Sequence, residues 1–267
     1  MTAVLVSANA IQQPAYFLDA RFNLNDSQAG KKQFMDGHIK GARHIDIEKD
    51  LSDMTSSEGR HPMPTKDQLA AVVHRLGLTY EQPIYIYDEG GQPFAARAYF
   101  MLQYAGFTNA YIVQEGYKGL VAAGFEVTTD VDYLTSTMPI QWNENVYVNR
   151  EQVKEVARRK VNKVLLDARS ASRYRGDEEP IDHVAGHIPT ARNYDWEQLV
   201  QDGQLSVNET LTHTVSKDEQ IIVYCGSGVT ASPLYAMLKQ LDYPNVQVYT
   251  GSFSDWINHE PIEQSEE

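Results

Sequence analysis

The amino-acid sequence predicts an α/β protein of two tandem domains, each an open, mostly parallel sheet flanked by helices. Two observations carry this reading. The chain repeats itself. "FLDAR" at 17–21 returns as "LLDAR" at 165–169, and "GHIKGARHID" at 37–46 as "GHIPTARNYD" at 186–195. "IYIYD" at 84–88 returns as "IIVYC" at 221–225, and "FTNAYIVQEG" at 107–116 as "YPNVQVYTGS" at 243–252. The four pairs keep their order, as duplication of one domain requires. Within each copy, short β-rich apolar runs alternate with stretches of helical periodicity, the pattern of strand–helix–strand units.

The elements follow in order. Partners lie 148 and 149 residues apart in the first two pairs and 137 apart in the third, which places an insertion in the first copy around "LSDMTSSEGRHPMP" at 51–64. "KDQLAAVVHRLG" at 66–77 reads as a helix closed by a C-terminal glycine. The polar, Thr/Ser-rich stretch 126–145 lacks helical periodicity and reads as a linker. The expected domains are therefore 1–125 and 146–267. "KVLLDAR", "QIIVYC" and "VQVYT" read as buried parallel strands. "TASPLYAMLKQL" at 230–241 is a helix with Pro233 in its first turn, where a missing N–H does no harm. The closing "EQSEE" reads as a solvated, frayed end.

Composition bounds the function. With 42% hydrophobic and 22% charged residues over 267, the chain has the makeup of a globular protein with a substantial core. A formal net charge of −13 repels polyphosphate backbones, so no nucleic-acid partner is expected. Neither a secretory leader nor a run of about 20 apolar residues is present, so a cytoplasmic protein without membrane contact is expected. The single cysteine rules out an internal disulfide and CxxC pairs.

That cysteine, Cys225, closes an apolar strand and opens a loop of small residues, "CGSGVT", that leads into a helix. In an α/β sheet such a strand end is where ligands bind. Gly226 and Gly228 let successive backbone N–H groups turn toward one point, and those donors with the helix dipole would stabilise an anion at the sulfur. A lone strand-end cysteine is often simply a small buried hydrophobe. The Gly-rich turn favours chemistry, since a packing cysteine needs no ring of donors. A cysteine phosphatase would need C-x5-R, and the arginine position is Ala231.

"CGSGVTA" at 225–231, the duplicated "LDAR…GHIxxAR" pattern and "YTGSFSDW" at 249–256 together resemble the tandem-domain rhodanese and 3-mercaptopyruvate sulfurtransferase family, over nearly the whole chain. The resemblance implies two rhodanese-like domains. The first is inactive, because Asp88 stands where the repeat places Cys225. It implies ping-pong sulfur transfer from a small anionic donor, through a Cys225 persulfide, to a thiol, cyanide or thioredoxin-like acceptor. No cofactor or metal is implied. The neutral Gly226–Ser227 pair is similar to the mercaptopyruvate type, whereas thiosulfate members carry basic residues there. By the same likeness, Arg173 would bind the donor carboxylate, and the loop 226–230 (Gly226, Gly228, Val229, Thr230) would cradle the sulfur. Ser227 would work with His61 and Glu48. A second substrate arginine of that type falls at Ile181 here. Thiosulfate transfer, and a non-catalytic persulfide carrier or binding module, stay open as alternatives.

Several residues read as scaffold. Arg21 with Asp19, Arg169 with Asp167, and His38 and His187 recur in both copies, including the one without a thiol. Arg97 is expected to anchor its own loop near Asp88. Arg173 has only Asn25 at the matching place of copy one, an asymmetry that favours function. For His61, surface and catalytic roles both remain open. Phe253 and Trp256 are expected in the core.

Overall fold

The computed structural model describes residues 3–132 and 134–265. The first copy contains strands β1 (Leu5–Val6), β2 (Tyr16–Asp19), β3 (His38–Ile39), β4 (Arg43–His44), β5 (Ile84–Tyr87), β6 (Ala110–Val113) and β7 (Val127–Thr128). Its helices are α1 (Ala29–Asp36), α2 (Lys66–Arg75), α3 (Phe94–Tyr104) and α4 (Gly116–Ala122). The second copy contains β8 (Tyr147–Val148), β9 (Val164–Asp167), β10 (Arg192–Asn193), β11 (Val200–Gln201), β12 (Gln204–Leu205), β13 (Ile221–Tyr224) and β14 (Val246–Tyr249). With it come α5 (Arg150–Ala157), α6 (Ala171–Arg175), α7 (Glu209–Thr214), α8 (Ala231–Gln240) and α9 (Ser252–Trp256).

Five strands of each copy form one parallel sheet, in the orders β1-β6-β5-β2-β4 and β8-β14-β13-β9-β10. The two orders correspond strand for strand. Asp19 pairs opposite Tyr87 and Asp167 opposite Tyr224, so Asp88 and Cys225 leave equivalent strand ends. These β-branched and aromatic runs are buried because helices cover the sheets.

The repeated motifs build the same small framework twice. Arg21 binds Asp19 at 2.6 Å and the Gly37 carbonyl at 2.7 Å; Arg169 binds Asp167 at 2.7 Å and the Gly186 carbonyl at 2.6 Å. His38 stacks on Phe34 with ring centroids 3.8 Å apart, and His187 on Tyr174 at 3.9 Å. Each histidine Nδ1 also meets its stacking partner's carbonyl, at 2.7 and 2.8 Å. Phe253 and Trp256 are buried, the former beneath the Arg169 guanidinium. These are folding roles.

Helix ends follow local chemistry. α2 begins at a capping box in which Thr65 Oγ1 accepts from the Gln68 N–H and Gln68 Oε1 accepts from the Thr65 N–H. Asn149 and Gln152 open α5 in the same way. Beyond α2, Gly77 takes a φ of +64°, and a Cβ there would stand 2.9 Å from Leu134 Cβ.

The stretch 126–145 runs along the first copy. β7 pairs antiparallel with β3, the Met138 carbonyl meets His74 Nε2 at 2.8 Å, and the Asn143 N–H reaches the Tyr104 carbonyl. Tyr133 lies outside the described residues. The two copies join through α3 and α8, each buried along most of its length. Phe100 meets Tyr235 edge-on at 5.4 Å. Gln240 Oε1 at the end of α8 accepts the Val4 and Leu5 N–H groups. This interface fixes the loop before α8 against the insertion of the first copy.

At Glu263 the chain differs from the frayed end that the composition of "EQSEE" suggested. His187 and Glu263 exchange both backbone hydrogen bonds, at 2.8 and 2.9 Å, which pins the chain to the second copy. Glu266 and Glu267 lie outside the described residues. Among the described residues, no helix is long and apolar enough to cross a membrane.

Candidate active site

Cys225 stands at the end of β13, fully buried, and the loop to α8 folds back over its sulfur. Gly228 makes the fold-back possible. Its φ of +83° suits glycine, and a Cβ there would stand 2.2 Å from the Thr250 carbonyl oxygen. Its N–H donates to Cys225 Sγ at 3.0 Å. Of the several N–H groups expected on the sulfur, this is the hydrogen bond that forms. Val229 instead packs its side chain into the core.

A second segment backs the loop. The Phe253 and Ser254 N–H groups donate to the Cys225 and Gly226 carbonyls, both at 2.9 Å. Ser252 Oγ accepts the Cys225 N–H at 3.1 Å and lies 4.0 Å from Sγ. Ser252 itself has a φ of +56° while fully buried, so packing holds it in a conformation that costs a non-glycine residue energy.

In front of the loop lies a cavity of about 520 Å³ shared by the two copies. Gly226, Ser227, Thr230 and Arg173 line it from the second copy; Asn25, Glu48, Arg60 and His61 line it from the first. Apolar Leu24, Met54 and Ile181 complete its wall, and all three are exposed. The residues singled out in sequence therefore converge: Ser227, Arg173, His61 and Glu48 share one cavity next to the thiol's loop. Ile181, 61% exposed, brings no positive charge to it.

His61 is buried, which settles its surface reading against it. Burial, with the Arg97 and Arg60 charges, pushes its pKa down to about 4, so its imidazole is neutral at pH 7. Its Nδ1 is buried without a hydrogen-bond partner, and its Nε2 lies 3.9 Å from Glu48 Oε1, beyond hydrogen-bond length.

Arg173 reaches the cavity in company. Its Nε and Nη2 bind Glu179 at 2.7–3.1 Å, and Nη2 lies 3.4 Å from Asp182. Glu179 also takes a bond from Arg169. Against burial, the Arg173 hydrogen bond and charge and the Asp182 and Ile181 N–H groups hold its carboxyl below the usual range. These acids come from "GDEEPID". The sequence shows their presence but not their direction.

Arg97 corrects an expectation. It does not anchor the loop at Asp88. It crosses to the second copy, where Nη1 donates to the Gly228 carbonyl at 3.1 Å. Its Nη2 donates to the Leu51 and His61 carbonyls at 3.0 and 3.2 Å, tying the insertion to the cysteine loop. Periodicity in α3 marks Arg97 as buried but cannot reveal a partner 131 residues away. Burial lowers its pKa to about 10, and the nearby Cys225 charge opposes that fall. The Asp88 loop is served by Asp88 itself, whose carboxylate accepts the Gly90 and Ala95 N–H groups at 2.8 and 3.0 Å. Burial raises its pKa to about 6 against those bonds. Copy one thus fills its own anion cradle. Among the described residues, no cluster of His, Cys, Asp and Glu is arranged to hold a metal ion.

A buried lone thiol at a parallel-strand end, facing a cavity closed by a thiol-free copy of its own domain, defines a tandem-domain α/β protein specialised for chemistry at one sulfur. The rhodanese-like domain family matches residues 4–123 and again 150–259, and the chain belongs to that family. It is 35% identical over 240 residues to the 3-mercaptopyruvate sulfurtransferase of Escherichia coli K12, covering 84% of this chain and 82% of that one. The crystal structure of SseA from Escherichia coli, a 3-mercaptopyruvate sulfotransferase, superposes with a TM-score of 0.80 at 31% identity, covering 95% of this chain and 100% of that one. At greater distance, a thiosulfate sulfurtransferase of Pseudomonas aeruginosa is 25% identical over 234 residues, covering 85% of each chain.

Proposed function

We propose that the protein is a sulfurtransferase that carries sulfur as a Cys225 persulfide, with 3-mercaptopyruvate as the favoured donor. The observation that supports this most is the thiol in its glycine loop, its sulfur accepting the Gly228 N–H beside a cavity shared by two copies. Domains of 1–125 and 146–267, joined by 126–145, put that cavity at their interface. In the first half-reaction the Cys225 thiolate attacks the donor sulfur. The S–C bond breaks, its electron pair goes to carbon, and that carbon takes a proton to leave pyruvate. In the second, an acceptor thiolate attacks the outer sulfur and Cys225 leaves as the thiolate. Cyanide would accept the same sulfur as thiocyanate.

The residues divide the work. The Gly228 N–H and the Arg97 charge stabilise the leaving and attacking thiolate. Ser227, with neutral His61 and Glu48 lining the same cavity, serves proton movement there. Arg173 faces the donor anion, and the backbone of Gly226, Gly228, Val229 and Thr230 holds the transferred sulfur.

The uncharged Gly226–Ser227 pair beside the thiol favours a donor with one carboxylate over the thiosulfate dianion. Thiosulfate transfer is the second reading, because Arg60 and Arg173 still bring positive charge to the cavity. Steady-state transfer to a thiol decides between them. A kcat/KM that favours 3-mercaptopyruvate supports the first, and one that favours thiosulfate overturns it. Persulfide formation without multiple turnover on either donor would make the protein a carrier.

A further inference from the structure

We infer that Arg60, supplied by the first copy, forms a two-arginine clamp with Arg173 for the donor's carboxylate, and that Asp182 is the internal carboxylate the donor displaces. This rests on the sulfurtransferase reading and adds a group that binds the donor's carboxylate. The geometry starts at Gly226, the residue after the thiol. A Cβ built there would stand 2.7 Å from Arg60 Nη2 and 3.4 Å from Arg173 Nη2, so two guanidinium groups from two copies converge over one backbone position. Arg60 is placed firmly, because its N–H donates to Ser254 Oγ at 3.1 Å. Both guanidinium groups remain open to the cavity, with side-chain exposures of 33% and 17%.

The two acids at the clamp are held differently. Glu179 is locked, since Arg173, Arg169 and the Ile181 and Asp182 N–H groups all donate to it. It orients Arg173. Among the described residues, the Asp182 carboxylate accepts only from Arg60 and Arg173, and it sits on a segment without helix or strand. Glu179 and Asp182 together neutralise the two cations. An incoming carboxylate would therefore add an uncompensated charge unless Asp182 swings out. A guanidinium presents a planar fork that a carboxylate can engage through two parallel N–H···O bonds. Sequence spacing hides this site, because Arg60 lies in the inserted stretch of copy one and has no repeat partner.

The test uses the whole chain and pyruvate, the carboxylate without the sulfur, titrated by calorimetry, with sulfate in parallel. Arg60→Ala should weaken pyruvate binding by about ten-fold or more, and Arg60→Lys should weaken it less. Asp182→Asn should tighten it, and sulfate, a dianion, should gain at least as much. Arg60→Lys keeps a charge at the position and serves if the alanine variant does not fold. Unchanged pyruvate affinity in Arg60→Ala and Arg60→Lys, weaker binding in Asp182→Asn, or no pyruvate binding by the native chain at millimolar concentration would overturn the inference. Persulfide formation from 3-mercaptopyruvate is read separately by mass. If the clamp behaves as expected and no persulfide forms, the sulfurtransferase reading fails alone. If the persulfide forms and the Arg60 variants bind pyruvate normally, the clamp fails alone.

Discussion

Replacing Arg97 by methionine probes how the first copy supports a thiol it does not contain. The guanidinium is fully buried and donates to the Gly228, Leu51 and His61 carbonyls. Hydrogen bonds from a charged group contribute about 1.5–3 kcal/mol each. Against them stands desolvation, which outweighs the nearby Cys225 and Tyr147 charges: the net fall in pKa from 12.5 to about 10 corresponds to about 3 kcal/mol. The balance predicts that Arg97→Met destabilises the fold by about 1–6 kcal/mol, read from denaturant midpoints at constant slope. A purely structural arginine would stop there. Because its Nη1 holds the Gly228 carbonyl and the Gly228 N–H lies on Cys225 Sγ, the variant should also change the rate of Cys225 alkylation by a neutral reagent at fixed pH. Arg97→Lys, keeping the charge but losing the fork, should fall between the native chain and Arg97→Met in stability. Unchanged stability together with an unchanged alkylation rate in Arg97→Met would refute the reasoning.

Three further outcomes follow from the geometry. Gly228→Ala should lose stability and loop closure together, because its Cβ meets the Thr250 backbone oxygen at 2.2 Å and φ is +83°; the loss, about 1–3 kcal/mol or more, is read by thermal unfolding and alkylation rate. Gly226→Ala meets the guanidinium ends of Arg60 at 2.7 Å and Arg173 at 3.4 Å rather than backbone, so it should raise donor KM with little change in melting temperature. His61 is held neutral in the folded chain down to about pH 4 while the unfolded chain protonates it near 6.5. Its contribution, up to about 3 kcal/mol, is therefore present above pH 6.5 and lost as pH falls toward 4. His61→Gln should flatten the acid side of the stability curve measured between pH 7 and 4.5.

The parts of this account legible in sequence are those written in local pattern. Apolar runs gave the strands, and the repeated "LDAR" and "GHI" motifs gave the buried arginine–carboxylate and stacked-histidine frameworks of both copies. The lone thiol with its glycine loop gave the site. What could not be read was partnership across distance. Arg97 looks like a helix residue of copy one, yet its bonds end on the loop of copy two. Arg60 looks like part of a polar insertion, yet it meets Arg173 over Gly226. Glu179 and Asp182 look like surface charge in "GDEEPID", yet both are buried against arginines. Docking of α3 on α8 decides the Arg97 and Arg60 contacts, and spacing within one copy carries no record of it; the Glu179 contacts lie within copy two, on a segment without helix or strand whose direction periodicity does not give.

The central claim is that sulfur travels on Cys225, and intact-mass measurement after donor treatment tests it most directly. The native chain should gain about 32 Da, one sulfur atom on its only thiol, on exposure to 3-mercaptopyruvate, and lose it again on adding a thiol acceptor. Cys225→Ser should show neither the gain nor turnover. A native chain that turns over without acquiring the added sulfur, or a serine variant that still transfers it, would contradict the account.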